Sequence, residues 1–120
     1  MTALFADLVG STPLAEQLDP EDVRLIVGEA VARMIRRVEA FGGTVKDLAG
    51  DGVLALFGAP AAHEDDPERA IRAGLAIAED VAEYGAEVAR GWAVDPLAVR
   101  VGVATGPVVV GAVGAGNRVR

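Results

Sequence analysis

The stretch that decides the fold is TVKDLAGDGVLALF, residues 44–57. Two runs rich in β-forming residues, 44–48 and 53–57, flank the tetrapeptide Ala49-Gly50-Asp51-Gly52. Asp-Gly between two such runs is a strong hairpin signal, because both central residues can take a positive φ. The stretch therefore predicts two antiparallel strands with Asp51 at their turn.

Upstream of this hairpin, the sequence predicts one strand and two helices. Residues 3–7 form a short apolar run that ends in a carboxylate, Asp7. Thr12 then suits the cap and Pro13 the first position of a helix, because proline lacks only an N–H that is not needed there. Asp19-Pro20 repeats this logic for a longer helix.

Downstream of the hairpin, Asp66-Pro67 begins a third helix, whose apolar face we expect to include Ile71 and Leu75. The segment Arg90-Gly91-Trp92 is expected to turn the chain. Residues 97–105 alternate with the period of two that is typical of a strand. A further strand at 108–110 and a turn at 114–118 complete the prediction.

The predicted order is strand, helices, strand, strand, helix, strand, strand. Such an order favours an α+β fold with a ferredoxin-like β-α-β-β-α-β sheet and helices on one face. No internal repeat or composition shift marks a second domain, so we expect residues 1–120 to belong to one domain.

Composition excludes several classes of function. The chain has 120 residues, no cysteine and a net charge of −7. Disulfides and thiolate metal sites are therefore excluded, and an acidic surface disfavours binding to nucleic acid or to anionic membranes. No apolar run approaches the roughly 18 residues that a membrane span needs, and the N-terminus lacks a secretory signal. We expect a cytoplasmic location.

Two aspartates are candidates for chemistry. Asp7 lies where an apolar strand meets a Gly-Ser-Thr turn, whose free N–H groups from Val9 to Thr12 could hold phosphate. Asp51 lies in the hairpin turn. Each alone is more simply a turn or capping residue.

Considered together, the two aspartates point to a metal site. In a ferredoxin-like sheet the first strand pairs with the third, so Asp7 and Asp51 are expected to meet at one end of the sheet. Two divalent ions held there, ~3.5–4 Å apart, can activate a hydroxyl and neutralise a leaving pyrophosphate.

Five segments carry a resemblance to a known family. They are FADLVGST from Phe5, GGTV from Gly42, GDGVLALFG from Gly50, and AP…HEDD…RA between residues 59 and 70, followed by RVGVATG from Arg100. In order and spacing, the chain from about Ala3 to its end resembles the catalytic domain of bacterial class III adenylate and guanylate cyclases.

The resemblance implies a fold, a reaction and a set of site residues. These enzymes convert ATP or GTP to the 3′,5′-cyclic monophosphate and pyrophosphate with two Mg²⁺ or Mn²⁺ ions. The ions would be bound by Asp7 and Asp51 and by the carbonyl of Leu8. Nucleotide contacts would come from Val9, Gly10, Ser11, Thr12 and Gly50. Active sites form between two subunits, so the resemblance also implies a homodimer.

Recognition of the purine depends on one more position. Where adenylate cyclases carry a purine-reading lysine, this sequence has Asp47, and Lys46 is expected on the opposite strand face. Guanylate cyclases place an acidic residue there, so Asp47 could accept hydrogen bonds from guanine. A solvated strand aspartate is an equally weighted interpretation.

The family pattern continues beyond Arg120 with a Gly-Asp segment, an asparagine and an arginine. We therefore expect this chain by itself to be a very poor catalyst. Two alternatives to the enzyme stay open: a non-catalytic regulatory or dimerisation module of the same fold that binds metal and nucleotide, and a generic ferredoxin-like interaction domain.

Overall fold

The computed structural model describes residues 1–58 and 64–106. Within them, the elements in chain order are β1 (Thr2–Val9), α1 (Ser11–Gln17), α2 (Pro20–Ala40), β2 (Thr44–Ala49), β3 (Gly52–Phe57), α3 (Asp66–Trp92) and β4 (Ala98–Thr105). The strand expected at 108–110 and the turn expected at 114–118 lie outside the described residues. None of the described helices is both long and apolar enough to span a membrane.

The strands form one antiparallel sheet in the order β2-β3-β1-β4. This is the ferredoxin-like order, in which the first strand lies between the third and the fourth. The predicted fold class and the predicted pairing of the first and third strands are both confirmed. In that pairing, Asp7 lies opposite Gly52, the residue that follows Asp51.

The two long helices cover one face of the sheet. Along β1 the even-numbered residues are buried and the odd-numbered ones more exposed, so Leu4 and Ala6 face the helices while Phe5 does not. The core is built from the following buried residues: Leu4, Ala6, Leu8, Ile26, Ala30, Met34, Val38, Val53, Ala55, Phe57, Ala70, Ala73, Ile77 and Val81. We call the opposite side, which carries Phe5, Asp7 and Val9, the open face.

The hairpin forms, but its turn differs from the prediction. Ala49 pairs directly with Gly52, so Gly50 and Asp51 are the two turn residues and Gly52 belongs to β3. Neither Asp51 nor Gly52 has a positive φ, which contradicts the expected geometry. The pairing of β3 with β1 sets this register and overrides the local preference of the Asp-Gly pair.

The start of α1 was also predicted wrongly. The helix begins at Ser11, not after a Thr12 cap, and its cap residue is Gly10 with a φ of 99°. Only glycine adopts this backbone conformation without strain, so the chain can turn sharply from β1 into the helix. No side chain of residues 1–58 or 64–106 caps the helix.

Helix α3 differs from the prediction at its end and on its face. It continues through the expected turn to Trp92, since Val88 is still buried against the core and Arg90 suits the last turn of a helix. Ile71 and Leu75 are 52% and 65% exposed, and the smaller Ala70 contacts the core in their place. Small residues let the helix lie close to the sheet.

Candidate active site

The two candidate aspartates lie at the same end of the sheet. Asp7 faces Gly52 across the β1–β3 pairing, and the N–H of the next residue, Leu8, donates to the carbonyl oxygen of Asp51 at 3.1 Å. Positions 44 apart in the chain therefore have adjoining backbones. Their closeness follows from the strand order and not from local sequence.

Gly52 permits the close approach of the two strands. A Cβ atom at this position would lie 2.8 Å from the Cβ of Asp7 and would also overlap the carbonyl oxygen of Ala6. Real Cβ atoms essentially never show contacts that short. A side chain at residue 52 would therefore displace the strand that carries Asp7.

Asp7 is paired with an arginine. Arg100 lies directly opposite it on β4, and its guanidinium donates from Nε to Oδ1 at 3.3 Å and from Nη2 to Oδ2 at 3.1 Å. The side chain of Asp7 is 35% exposed and that of Arg100 is 69% exposed. The hydrogen bonds and charge of Asp7 raise the pKa of Arg100, and the charge of Asp51 adds to the effect. Both carboxylates thus act on one cation.

Asp51 is oriented by the first residue of α1. The Ser11 hydroxyl donates to Oδ2 of Asp51 at 2.9 Å. Ser11, Thr12, Gly50 and Asp51 border a groove of about 630 Å³, whose other wall is formed by α2. The acidic turn and the start of α1 therefore share one concave surface.

The donor set suits a hard divalent cation. Carboxylate and carbonyl oxygens are the ligands that Mg²⁺ takes in proteins, and Asp7 already attracts a cationic group. The side chain of Leu8 is buried, so only its backbone is available to a ligand. Among the described residues, no group of three or more acidic or histidine side chains converges. The residues fit a site completed by backbone, substrate or water oxygens.

The remaining predicted nucleotide contacts are distributed around this end of the sheet. Val9 pairs with Ala98 as the last residue of β1, so the turn proper begins at Gly10. Gly10 leads into the helix and Thr12 lies on the groove wall. The segment that follows β1 therefore starts at Gly10, one residue later than the predicted segment from Val9 to Thr12.

Asp47 lies on the open face, in a second depression of about 190 Å³ that Phe5, Asp7 and Leu54 also border. Its Oδ1 accepts the N–H of Leu48 at 2.9 Å. The pairing of β2 with β3 shifts register between Val45 and Asp47. The strict alternation used to place Lys46 on the opposite face therefore does not hold at this point.

Arg100 is the site residue whose role the sequence did not indicate. It appears in the sequence only within the RVGVATG segment, on a strand of period two. Its partnership with Asp7 depends on the register of β1 against β4, which local sequence does not encode.

Comparison with known proteins identifies the family of this chain. The family described as Adenylate and Guanylate cyclase catalytic domain matches residues 1–119. The chain belongs to this cyclase family. The resemblance stated from the sequence segments is confirmed.

Relatives of this cyclase domain include enzymes named for either base. Adenylate cyclase 1 of Rhizobium meliloti is 32% identical over 120 residues, which are 100% of this chain and 18% of that protein. The solved guanylyl cyclase Cya2 is 37% identical, with a TM-score of 0.83 over 98% of this chain and 59% of that one. The adenylyl cyclase CyaB from P. aeruginosa is 26% identical, with a TM-score of 0.79 over 85% of this chain and 53% of that one.

Proposed function

We propose that this domain supplies the metal-binding half of a class III nucleotide cyclase, which converts ATP or GTP to the 3′,5′-cyclic monophosphate and pyrophosphate. The observation that carries the proposal is the β1–β3 register, which brings Asp7 beside the turn that holds Asp51. Membership of the cyclase family supports the reaction type. Because the substrates are cellular nucleotides, the proposal also assigns the domain to the cytoplasm.

In this proposal Asp7, Asp51 and the Leu8 carbonyl hold two Mg²⁺ or Mn²⁺ ions. Such ions, when bound, favour ionisation of the ribose 3′-hydroxyl and neutralise the leaving pyrophosphate. The chain's own contribution is positioning. Gly52 lets the strand of Asp7 approach, and the Ser11 hydroxyl fixes one oxygen of Asp51.

The triphosphate would lie along the turn from Gly10 to Thr12. This turn lies next to Asp51, so cations held by the carboxylate would separate it from the phosphates. A net charge of −7 would otherwise repel the substrate.

Base selection is assigned to Asp47. Its carboxylate is exposed on the open face and can accept hydrogen bonds from guanine N1–H and the exocyclic amino group. The same carboxylate meets one donor and one acceptor on the edge of adenine. The chemistry of this position therefore favours GTP where Asp47 contacts the base.

We also propose a homodimer. Phe5 and Val9 are 50% and 46% exposed on the open face, where α2 and α3 do not cover the sheet. A second copy of the domain would shelter these apolar side chains. The site residues described above would then be completed from the partner subunit.

Product analysis tests the proposal. The protein that contains this domain is given ATP and GTP together with Mn²⁺, and cyclic nucleotides and pyrophosphate are quantified. We expect one cyclic nucleotide per pyrophosphate, and a change of base preference in Asp47→Asn relative to Lys46→Gln. Binding of nucleotide without product would instead support the non-catalytic regulatory or dimerisation module.

A further inference from the structure

Arg100 lies opposite Asp7 and contacts the carboxylate that would bind a metal ion. Both carboxylate oxygens of Asp7 are engaged by Arg100, at 3.3 and 3.1 Å. A divalent ion that coordinates Asp7 would therefore bind an oxygen that already accepts a hydrogen bond from the guanidinium. Two cations close to one carboxylate also repel each other.

We propose that Arg100 occupies the cation position of Asp7 until a divalent ion replaces it, and so weakens the affinity of the site for that ion. This inference rests on the proposed function, because it takes Asp7 as a metal ligand. Arg100 acts through Asp7 and is a positioning residue.

Exposure makes the exchange feasible. The side chain of Arg100 is 69% exposed, and exposed ion pairs are weak because water and salt screen them. Among the ion pairs between described residues, Asp7 is the partner of Arg100. The guanidinium can therefore swing into solvent when a divalent ion takes its place.

The register of β1 against β4 keeps the guanidinium of Arg100 close to Asp7. Asp7 and Arg100 are directly opposed in the antiparallel β1–β4 pairing, and directly opposed side chains lie close together. Whenever Asp7 lacks a metal ion, a guanidinium is tethered within reach. Arg100 thus holds the carboxylate in place and keeps it from binding other cations.

Manganese affinity measured without nucleotide tests this inference. Titration of the chain with Mn²⁺ at low salt, followed by the EPR signal of the free ion, compares Arg100→Gln with the unaltered chain. We expect Arg100→Gln to bind Mn²⁺ about 1.4- to five-fold more tightly, the range that corresponds to the loss of one exposed ion pair.

The matched control is Arg72→Gln. Arg72 is 64% exposed and pairs with Glu68 on α3, so the substitution removes the same charge and a similar ion pair away from Asp7. We expect its affinity to equal that of the unaltered chain. Equal affinities in the two variants, or weaker binding by Arg100→Gln, would overturn the inference.

Magnesium titration followed by NMR gives a readout that a purely structural role would not move. The Nε–H signal of Arg100 should shift as Mg²⁺ is added, because its hydrogen bond to Asp7 is lost. Binding of Mg²⁺ with that signal unmoved would contradict the exchange. If Arg100→Gln does not fold, Arg100→Lys keeps the charge without the fork, and we expect it to bind Mn²⁺ more tightly than the unaltered chain; equal or weaker binding would overturn the inference.

Asp7→Asn separates this inference from the function on which it rests. Loss of Mn²⁺ binding in Asp7→Asn, together with no effect of Arg100→Gln, would remove the inference alone. Unchanged Mn²⁺ binding in Asp7→Asn would remove the metal assignment of the proposed function as well.

Discussion

Asp7 and Asp80 both pair with arginine, and their surroundings differ. Asp80 on α3 accepts hydrogen bonds from Arg33 at 2.7 Å and from Arg37 at 3.0 Å, and its side chain is 11% exposed. Arg33 also lies over the ring of Tyr84, 4.5 Å from the centroid. Asp7 at the end of the sheet has one arginine partner and is 35% exposed.

The difference separates a structural ion pair from an exchangeable one. Burial alone would raise the pKa of Asp80, but hydrogen bonds from Arg37 and Arg33 outweigh it and lower the pKa. This carboxylate is fully partnered, so its role is to clamp α2 against α3. Asp7 is more exposed and has a second carboxylate and a groove nearby, so a metal ion can replace the guanidinium of Arg100.

The largest expected effect is that substitutions of the two aspartates change different properties, activity for Asp7 and stability for Asp80. Asp7→Asn should lower cyclase activity by ~10²–10³-fold, the usual cost of losing one electrostatic contact to the transition state, with little loss of stability. Asp80→Asn should instead lower the free energy of unfolding by about 1–3 kcal/mol, because Arg33 loses a part-buried partner. Activity assays and urea titrations measure both.

Glu68→Gln serves as the control for Asp80→Asn. The Glu68–Arg72 pair is exposed on α3, so we expect a change of no more than about 0.5 kcal/mol. Similar activity and similar stability in Asp7→Asn and Asp80→Asn would erase the distinction between the two regions.

The next effect concerns how much the close pairing of β1 and β3 at Gly52 contributes to stability. Gly52→Ala forces a Cβ against Asp7 and should cost about 1–3 kcal/mol of stability. Gly50→Ala is the matched control, because a Cβ there meets nothing within 4 Å. Thermal unfolding of both variants compares them, and equal stability would show that the two strands can separate without cost.

A pH series sharpens the account of the helix clamp. The pKa of Asp80 is lower in the folded chain than in the unfolded chain, so its contribution to stability is complete above the unfolded value of about 3.9. The contribution disappears as the pH falls through the lower folded value. The stability gap between the unaltered chain and Asp80→Asn should be constant from pH 7 to 5 and shrink below about pH 4. A gap that widens in acid would contradict this assignment.

The smallest effect is expected at Ser11. Ser11→Ala removes the hydroxyl that donates to Asp51 and should cost about 0.5–1 kcal/mol, the usual net worth of one hydrogen bond. Mn²⁺ affinity should fall modestly as Asp51 loses its fixed orientation. Thr12→Ser is the control, because Thr12 follows Ser11 and makes no hydrogen bond to Asp51 among the described contacts. This substitution should leave both the stability and the Mn²⁺ affinity unchanged.

The strand order could be predicted from the sequence, and with it the meeting of Asp7 and Asp51. The apolar runs, the hairpin and the long helices restrict the chain to few topologies, and the ferredoxin-like one pairs the first strand with the third. The family segments add the metal assignment, which stays a prediction.

Registers and helix faces could not be predicted in the same way. The turn moved to Gly50-Asp51 because pairing with β1 outweighs the preference of an Asp-Gly pair. Arg100 opposes Asp7 only because of the β1–β4 register. On α3, the face that carries Ala70, Ile77 and Val81 is buried and Ile71 is exposed, so tertiary packing selects the buried face of the helix.

The most direct test of the metal site is anomalous scattering from crystals of the domain grown with Mn²⁺ and a non-hydrolysable nucleoside triphosphate. The account predicts manganese bonded to carboxylate oxygens of both Asp7 and Asp51, with Arg100 turned away from Asp7. Manganese bound elsewhere, or an Asp7 still held by Arg100 while the metal and nucleotide are present, would contradict it.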